Sequence, residues 1–475
     1  MIELRLVALT VLGLTLGASP VGAQGVEVTV DAAKHHQTIE GFGTCLVAWR
    51  DEFRRLYRTE EFQEVYVNQV GCNMLRFNLW GPVCKTPQQD WRDIRWQDFD
   101  MSVNGGRAQI FIDFAKGIKK LNPDVKLIGT VWSPPAWMKE SQSITDKRSG
   151  GIRAHSYGEI RNRVRPEFYP HFARWLVEMV KLHAAAGTPL CAVSPGNEVQ
   201  FTQTFESCVW NGEDFAKIVA MVGELLDKEG LGNVKIFGPE TMTSHFYTGG
   251  TPDYVKAVAG SPAALQALDV WATHGYEDGV VAEMNANSSR RMWNIIKEYG
   301  KPYWVTEGGT GGHDWPTPLH KGVGAAIHNA LVAGDVSAFV PWQVIDGDRN
   351  THGLMVLEGG RPVFTPKTYA AMHYFRFIRP GAVRIDAEPA YAEVMTGAFY
   401  HPQRSELTIV LLNPTDQRQP VTVRFQQPPG IEAMKAYGTS ASANLEELPA
   451  VPVKGDRLTL TMPEQSMLTL FAGRR

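Results

Sequence analysis

The chain has 475 residues, a length that usually holds two domains. Hydrophobic residues make up 44% of it and charged residues 20%, with 45 glycines and 29 prolines, which is the composition of a globular protein with many loops. A formal net charge of -3 gives no basic surface for nucleic acid or for an anionic membrane. We therefore expect no nucleic-acid partner and no stable insertion into a membrane.

The N-terminal segment has the pattern of a secretory signal peptide. Arg5 precedes the apolar run LVALTVLGLTL, and small residues ending at Ala23 then form an A-x-A-like cleavage site. The run is too short to span a bilayer. A buried N-terminal strand is the alternative. We expect residues 1–23 to be removed and the mature protein to be secreted, into the medium or the periplasm.

Eight short apolar runs follow in the chain and alternate with segments of helical periodicity. The runs are TIEGFGTCL from residue 38, MLRFNLW from 74, KLIGTVW from 126, CAVS from 191, KIFGPE from 235, LDVWATHGY from 268, PYWVTEGG from 302 and AFVPWQV from 338. Two of the helical segments are residues 167–187 and 212–230. Gly230 closes the second, as glycine often closes a helix.

Continuous apolar strands that alternate with helices predict a parallel sheet covered on both faces. Eight such units fit an α/β fold of the (β/α)8 TIM-barrel type with enlarged loops. A doubly wound sheet is the alternative, but no glycine-rich phosphate-binding turn follows any early strand.

From about residue 385 the pattern changes to alternating stretches typical of antiparallel strands, as in residues 407–413, 421–425 and 457–462. The stretch VEVTVD from residue 26 alternates in the same way. We therefore expect an appended β-sandwich domain built from the mature N-terminal strand and the C-terminal region, with the barrel inserted between them. The predicted division is a signal peptide over 1–23, an N-terminal strand over 24–37, a catalytic barrel over 38–380 and a sandwich over 381–475.

Polar and aromatic residues stand at the carboxyl ends of the predicted barrel strands, where such barrels carry their chemistry. They are Arg76, Asn78, Trp132, Asn197, Glu198, His274, Tyr276, Glu307 and Trp342. A glutamate at the end of an element is ordinarily a solvated surface group, and a lone aromatic there more often serves packing. Two carboxylates on opposite sides of one barrel mouth, among aromatic rings and amide or guanidinium donors, instead favour glycoside hydrolysis.

The chain resembles glycoside hydrolase family 30 and, more broadly, the clan of (β/α)8 retaining β-glycosidases, over nearly all of the mature sequence. The resemblance rests on GFGTCL (41–46), VWSPPAWMK (131–139), SPGNEVQF (194–201), HGY (274–276), VTEGG (305–309) and TPKTYAAMHYFRFIRPGAVRI (365–385). The sequence departs from the family at Gly196-Asn197-Glu198-Val199, where members commonly read Gln-Asn-Glu-Pro. Because proline fixes φ and glycine does not, we expect a loop of different rigidity here.

The resemblance implies that Glu198 is the general acid/base and that Glu307 is the nucleophile, oriented by Arg76 and Tyr276. A retaining glycosidase needs two carboxyl groups about 5 to 5.5 Å apart, in different protonation states near neutral pH. Arg76 beside Glu307 would favour the charged form of that carboxyl. Aromatic walls around Glu198 would hold it protonated.

The remaining matched residues are implied to bind substrate. Asn197 would hold the sugar 2-hydroxyl through a hydrogen bond that strengthens as the oxocarbenium ion develops. Trp132 and Trp342 would form the walls of the subsite at the scissile bond, and His274 would be a polar contact there. No cofactor is implied.

Other polar residues invite weaker interpretations. His313 and Asp314 lack a third ligand for a metal, so a solvated loop is the better interpretation. The basic loop over 139–165, with Arg148, Arg153 and Arg163, could meet an acidic sugar, the alternative being a solvated face. Two further glutamates near strand ends, Glu206 and Glu240, are candidates for sugar contact.

The five cysteines are too few for a disulfide scaffold. Cys72 and Cys191 precede apolar strands and are expected to be small core residues. Cys84 and Cys208 lie in predicted loops and could pair.

We therefore expect a secreted, endo-acting β-glycanase that cleaves β-1,6-glucan, β-1,6-galactan or xylan, with a β-linked oligosaccharide or polysaccharide as its partner. An exo-acting β-glucosidase or glucosylceramidase is the close alternative, which the shape of the cleft would separate. A non-catalytic carbohydrate-binding protein that kept the barrel is the alternative from another class.

Overall fold

A computed structural model describes residues 25–79, 83–84, 87–147, 150–151, 159–243, 250–276, 285–308, 312, 314–347, 352–428 and 430–473. The predicted signal peptide therefore lies outside the described residues, as do Arg148, Arg153 and His313. Among the helices that are described, none is both long and apolar enough to cross a membrane.

Within these ranges, eight parallel strands close a barrel in chain order, which confirms the predicted barrel and excludes the doubly wound alternative. The strands are β1 (Gly41–Leu46), β2 (Met74–Asn78), β3 (Lys126–Thr130), β4 (Ala192–Ser194), β5 (Lys235–Thr243), β6 (Val270–Tyr276), β7 (Tyr303–Glu307) and β8 (Ala338–Phe339). The barrel closes where Ala338 of β8 lies opposite Gly41 of β1. Each strand overlaps one of the predicted apolar runs, although β8 covers only the first two residues of its run and β5 extends three residues beyond its run. Side chains such as Met74, Phe237 and Trp304 fill the barrel interior.

Helices cover the outside of the barrel. The α-helices of the described chain are Asp51–Leu56, Glu60–Glu64, Val103–Leu121, Tyr169–Ala185, Gly212–Lys228, Thr251–Ala259, Pro262–Ala267, Ala286–Ile296, Thr317–His320, Val323–Ala333 and Pro366–Phe375. The two helices predicted over 167–187 and 212–230 are present and end within two residues of the predicted bounds. Gly230 follows the second at a φ of 71°, a conformation that glycine adopts without strain.

The remaining long strands form one sheet of nine strands. They are Val26–Thr38, Val383–Glu388, Met395–His401, Glu406–Asn413, Gln419–Phe425, Ala433–Ser440, Ala443–Pro452, Arg457–Met462 and Ser466–Ala472. The N-terminal strand joins this sheet, as predicted, and lies antiparallel to Val383–Glu388. Its pairing with Gln419–Phe425 is parallel, which the predicted antiparallel arrangement did not include. The sheet encloses one apolar core, which includes Val28, Leu411 and Leu458.

Two shorter strand pairs and one three-stranded sheet lie in the segments that follow barrel strands. They are Val83–Cys84 with Phe99–Asp100, Gly150–Gly151 with Phe201–Thr202, and Gln343–Asp346 with Gly353–Glu358 and Arg361–Phe364.

All five cysteines are unpaired, so the possible disulfide between Cys84 and Cys208 does not form. Both of these thiols are buried, as is Cys72, whereas Cys191 is partly exposed. They serve as small packing residues.

Candidate active site

The carboxyl ends of the barrel strands bring the eight residues to which the resemblance assigns a role into one connected cluster. Arg76 of β2 stands at its centre and is fully buried. Its Nη1 donates to Glu307 Oε1 at 2.7 Å, and its Nη2 donates to Asn197 Oδ1 at 2.8 Å. The guanidinium also lies 4.5 Å from the centroid of the Trp132 ring. These contacts join residues that the sequence separates by up to 231 positions.

Arg76 has two further partners that the sequence did not assign. Its Nε donates to Glu240 Oε1 at 3.0 Å. Glu240 lies on β5 and is fully buried. Arg76 Nη1 lies 3.1 Å from the sulfur of Cys45 on β1. Both residues occupy predicted barrel strands. The sequence showed only that both residues lie near the carboxyl end of a predicted strand. That position did not identify Arg76 as their partner.

The two central glutamates approach each other closely. Glu307 is the last residue of β7, and Glu198 lies four residues beyond β4. The nearest carboxylate oxygens of the two lie within 4.8 Å of each other. Tyr276 OH donates to Glu307 Oε2 at 3.4 Å, and Gln203 Nε2 donates to Glu198 Oε2 at 3.5 Å.

The surroundings distinguish the two carboxyl groups. Burial raises the pKa of Glu198 to about 7, although Arg76 opposes the shift. Burial also raises the pKa of Glu307, while His274 and Arg76 act in the opposite direction. Of these two carboxyl groups only Glu307 is bonded directly to the Arg76 guanidinium, so it ionises before Glu198 does. The site can therefore hold one carboxylate and one carboxylic acid near neutral pH.

His274 lies between the two carboxyl groups. Its Nδ1 is 3.3 Å from Glu198 Oε1 and 3.3 Å from Glu307 Oε2. Burial lowers its pKa to about 4, so the ring is neutral and has one N–H to donate. The sequence predicted a polar contact with sugar, whereas the ring is fully buried and links the carboxyl groups.

Three tryptophans continue outward from the cluster as one aromatic surface. Trp132 and Trp342 have ring centroids 6.1 Å apart, and Trp342 lies 6.0 Å from Trp49. Trp132 is nearly buried, while Trp49 is 41% exposed. Asn78 at the end of β2 holds the backbone beside the inner ring, because its Oδ1 accepts a hydrogen bond from the backbone N–H of Trp132 at 3.3 Å.

The departure from the family at residues 196–199 has a structural counterpart. A Cβ at Gly196 would lie 2.8 Å from Val199 Cγ1 and 3.1 Å from Trp210 Cδ1. Val199 is fully buried and thus occupies the space beside the glycine. Packing therefore holds this loop, although it lacks the proline, and Glu198 sits in it at a φ of 46°.

Glu198, His274 and Glu307 have potential ligand atoms close enough for a metal ion. Arg76 already supplies a cation to Glu307 at 2.7 Å, and the three residues have the contacts of an acid–base group.

Two of the weaker candidates lie in ion pairs: Arg163 Nε is 2.9 Å from Glu140, and Glu206 Oε1 is 3.7 Å from Arg107.

A (β/α)8 barrel that carries two close carboxyl groups at the carboxyl ends of its strands has the arrangement that retaining glycoside hydrolysis requires. No protein-family model matches the chain. Relatives of known name nevertheless cover most of it. Glucuronoxylanase XynC of Bacillus subtilis (strain 168) is 26% identical over 486 aligned positions, which cover 99% of this chain and 97% of that protein.

Two other relatives carry different names. Putative glucosylceramidase 1 of Caenorhabditis elegans is 23% identical, over 82% of this chain and 76% of that protein. Endo-1,6-beta-D-glucanase neg1 of Aspergillus fumigatus is 21% identical, over 79% of this chain and 78% of that protein.

Solved structures share the fold. The glycoside hydrolase family 30 subfamily 8 xylanase Xyn30A from Clostridium acetobutylicum has a TM-score of 0.72 at 20% identity, covering 94% of this chain and all of that one. The endo-beta1,6-glucanase BT3312 has a TM-score of 0.67 at 17% identity, covering 94% of each chain. The comparisons confirm the resemblance to glycoside hydrolase family 30 that the sequence motifs predict.

Proposed function

We propose that the protein is a retaining β-glycoside hydrolase that cleaves a β-linked polysaccharide within the chain. The observation that carries the proposal is the pair Glu198 and Glu307, whose oxygens lie within 4.8 Å of each other. Inverting enzymes keep their carboxyl groups about 6.5 to 9.5 Å apart, to leave room for water. The short separation supports the double-displacement route instead.

In the first step Glu307 attacks the anomeric carbon while Glu198 transfers its proton to the leaving oxygen. The bond from the anomeric carbon to that oxygen breaks, and an ester between the sugar and Glu307 forms. In the second step Glu198, now a carboxylate, takes a proton from water as the water oxygen attacks the anomeric carbon. The ester breaks, and Glu307 leaves as a carboxylate.

The neighbours of the pair support these roles. A pKa of about 7 keeps a large share of Glu198 protonated near neutral pH, as a general acid requires. Arg76 at 2.7 Å and Tyr276 at 3.4 Å hold the carboxylate of Glu307 in place. Because Arg76 occupies Oδ1 of Asn197, the amide Nδ2 is left to donate to the sugar 2-hydroxyl.

The aromatic surface of Trp132, Trp342 and Trp49 supports an extended substrate. Aromatic rings bury large apolar faces, and the apolar faces of successive sugar residues can cover them. Relatives named glucuronoxylanase and endo-1,6-beta-D-glucanase support internal cleavage of xylan or β-1,6-glucan, and β-1,6-galactan is the third candidate polymer. The relative named putative glucosylceramidase supports the exo-acting alternative.

We also propose that the chain is secreted after loss of residues 1–23. The composition and the pattern of this segment support the proposal. The catalytic barrel is proposed to span residues 38–380, with residues 24–37 and 381–475 forming the β-domain.

The test is hydrolysis of β-1,6-glucan, β-1,6-galactan and xylan, with product lengths followed over time. Internal cleavage gives a ladder of oligosaccharides from the start, whereas release of monosaccharide alone supports the exo-acting alternative. Trp49→Ala is expected to lower kcat/KM on the polymer about two- to tenfold, since stacked aromatic contacts contribute about 0.5–1.5 kcal/mol beyond buried area. The same variant leaves an aryl monoglycoside nearly unaffected. Binding of a polymer by a wild-type protein that cleaves none would favour the non-catalytic alternative.

A further inference from the structure

A third carboxylate, Glu240, belongs to the charge cluster although no sugar can reach it. Its side chain is 0% exposed, and it lies within β5, three residues before the strand ends at Thr243. The sequence made it a candidate for sugar contact, and its burial excludes that role. The proposed mechanism gives it no step.

Glu240 shares the single positive charge of Arg76 with Glu307. Its Oε1 accepts from Arg76 Nε at 3.0 Å and lies 2.9 Å from Nη2, while Glu307 takes Nη1 at 2.7 Å. Oε2 of Glu240 accepts from Thr130 Oγ1 at 2.9 Å. The guanidinium is therefore divided between two carboxylates, of which only one is placed to react.

The backbone of Glu240 also holds the backbone of Glu198. The carbonyl oxygen of Glu240 accepts the N–H of Glu198 at 2.9 Å. Glu240 and Glu198 have φ values of 52° and 46°, in the left-handed region that residues other than glycine seldom occupy. Such strain persists only where the surroundings determine the conformation, and it concentrates at functional sites.

The charges around Glu198 can be counted from the elements that face it. Arg76 on β2 is positive, Glu240 on β5 and Glu307 on β7 are negative, and His274 on β6 is neutral. The cluster thus already carries one net negative charge while Glu198 is protonated. Ionising Glu198 would add a second charge in a buried site, which like charges disfavour. Burial is the largest cause of the raised pKa of Glu198, and Glu240 acts in the same direction.

We propose that Glu240 is a positioning residue that fixes the backbone of the acid/base and, by sharing Arg76 with the nucleophile, keeps Glu198 protonated for the first step. The inference rests on the proposed function of this site. Glu240 acts through Glu198 and Arg76 and does not touch substrate.

The experiment is a carbon-13 NMR titration of the full chain labelled at the glutamate side-chain carboxyl. The Glu198 signal is assigned as the one that disappears in Glu198→Gln. The pKa of Glu198 is then compared in the wild type, in Glu240→Gln, which removes the charge, and in Thr130→Val. The last variant removes one hydrogen bond to Glu240 and retains every charge, so it is the matched control.

The expected result is a Glu198 pKa near 7 in the wild type, a lower Glu198 pKa in Glu240→Gln, and no change in Thr130→Val. Should Glu240→Gln fail to fold, Glu240→Met is a second neutral replacement, and the same fall is expected. An unchanged or higher pKa in the neutral variant would overturn the inference. A wild-type value near 4.3, the ordinary value for glutamate, would overturn it as well.

The titration needs no substrate, which separates this inference from the proposed function. A shifted pKa in a protein that cleaves no glycan contradicts only the proposed function. Hydrolysis by the wild type, with a Glu198 pKa that Glu240→Gln leaves unmoved, contradicts only the inference. With an active enzyme, both limbs of the pH profile of kcat/KM are expected to move to lower pH in Glu240→Gln, because Glu307 is then the one carboxylate paired with Arg76. A merely structural role would lower activity without moving the limbs.

Discussion

Acid is expected to destabilise the contact between the barrel and the β-domain through one histidine. His373 lies fully buried on the helix Pro366–Phe375. Its Nδ1 is 2.8 Å from Thr469 Oγ1, and its Nε2 is 2.8 Å from Thr439 Oγ1, both in the nine-stranded sheet. The neutral ring donates to one hydroxyl and accepts from the other. Burial lowers its pKa to about 3, so protonation would put a charge into the packed contact and remove the acceptor.

The magnitude follows from the two protonation equilibria. The pKa of His373 in the folded chain lies below the ordinary value of about 6.5, so the unfolded chain binds the proton first. This contribution to stability is complete above pH 6.5 and is lost as the pH falls toward the folded pKa. One group loses about 1.4 kcal/mol per pH unit in this window, or about 2 kcal/mol by pH 5.

The assay is urea unfolding of the wild type and of His373→Gln at pH 7.5, 6 and 5. Between pH 7.5 and 5 the wild type is expected to lose about 2 kcal/mol more unfolding free energy than the variant, because the variant lacks this proton site. His183, His274 and His328 are buried with lowered pKa values as well, and they act equally in both proteins. An equal loss in the two proteins would refute the reasoning about His373.

Two further predictions concern the active site. Because Glu198 has a pKa of about 7 and acts as the acid, kcat/KM on a β-glycan should fall as the pH rises past about 7. On an activated aryl glycoside Glu198→Gln should lack this limb, and a wild-type profile flat to pH 9 would contradict the assignment. Gly196→Ala places a methyl group 2.8 Å from Val199 and should lower stability by about 1–3 kcal/mol and reduce kcat/KM. The double variant Gly196→Ala/Val199→Ala should recover part of both losses. A Gly196→Ala variant with wild-type stability and wild-type kcat/KM would contradict the prediction, because it would show that the loop accommodates the methyl group.

The strands of the barrel were predictable because each is a continuous apolar run bounded by loops, which a strand buried on both faces requires. The site residues were predictable as a group for a related reason: the end of a parallel strand is where a polar side chain reaches the barrel mouth. His274 shows the limit of this reasoning. Its position was predicted, but its burial between two carboxyl groups depends on the packing of β6 against β7.

Glu240 was visible at the end of its strand, but its partner was not. Arg76 lies 164 residues away in sequence, and only the closed barrel brings the two side chains together. The sequence also shows Gly196 and Val199 in place of the glutamine and proline that the family commonly has, but it does not explain these two differences. The sequence shows that a proline is missing, whereas the space that Val199 fills beside the glycine belongs to tertiary structure.

The most direct test of the central claim is the configuration of the first product of glycan hydrolysis, followed by NMR, with wild type, Glu198→Ala and Glu307→Ala compared in parallel. Two carboxyl groups with oxygens within 4.8 Å predict a β-configured first product, and its loss in both variants. An α-configured first product, or full turnover by Glu307→Ala, would contradict the assignment of Glu198 and Glu307.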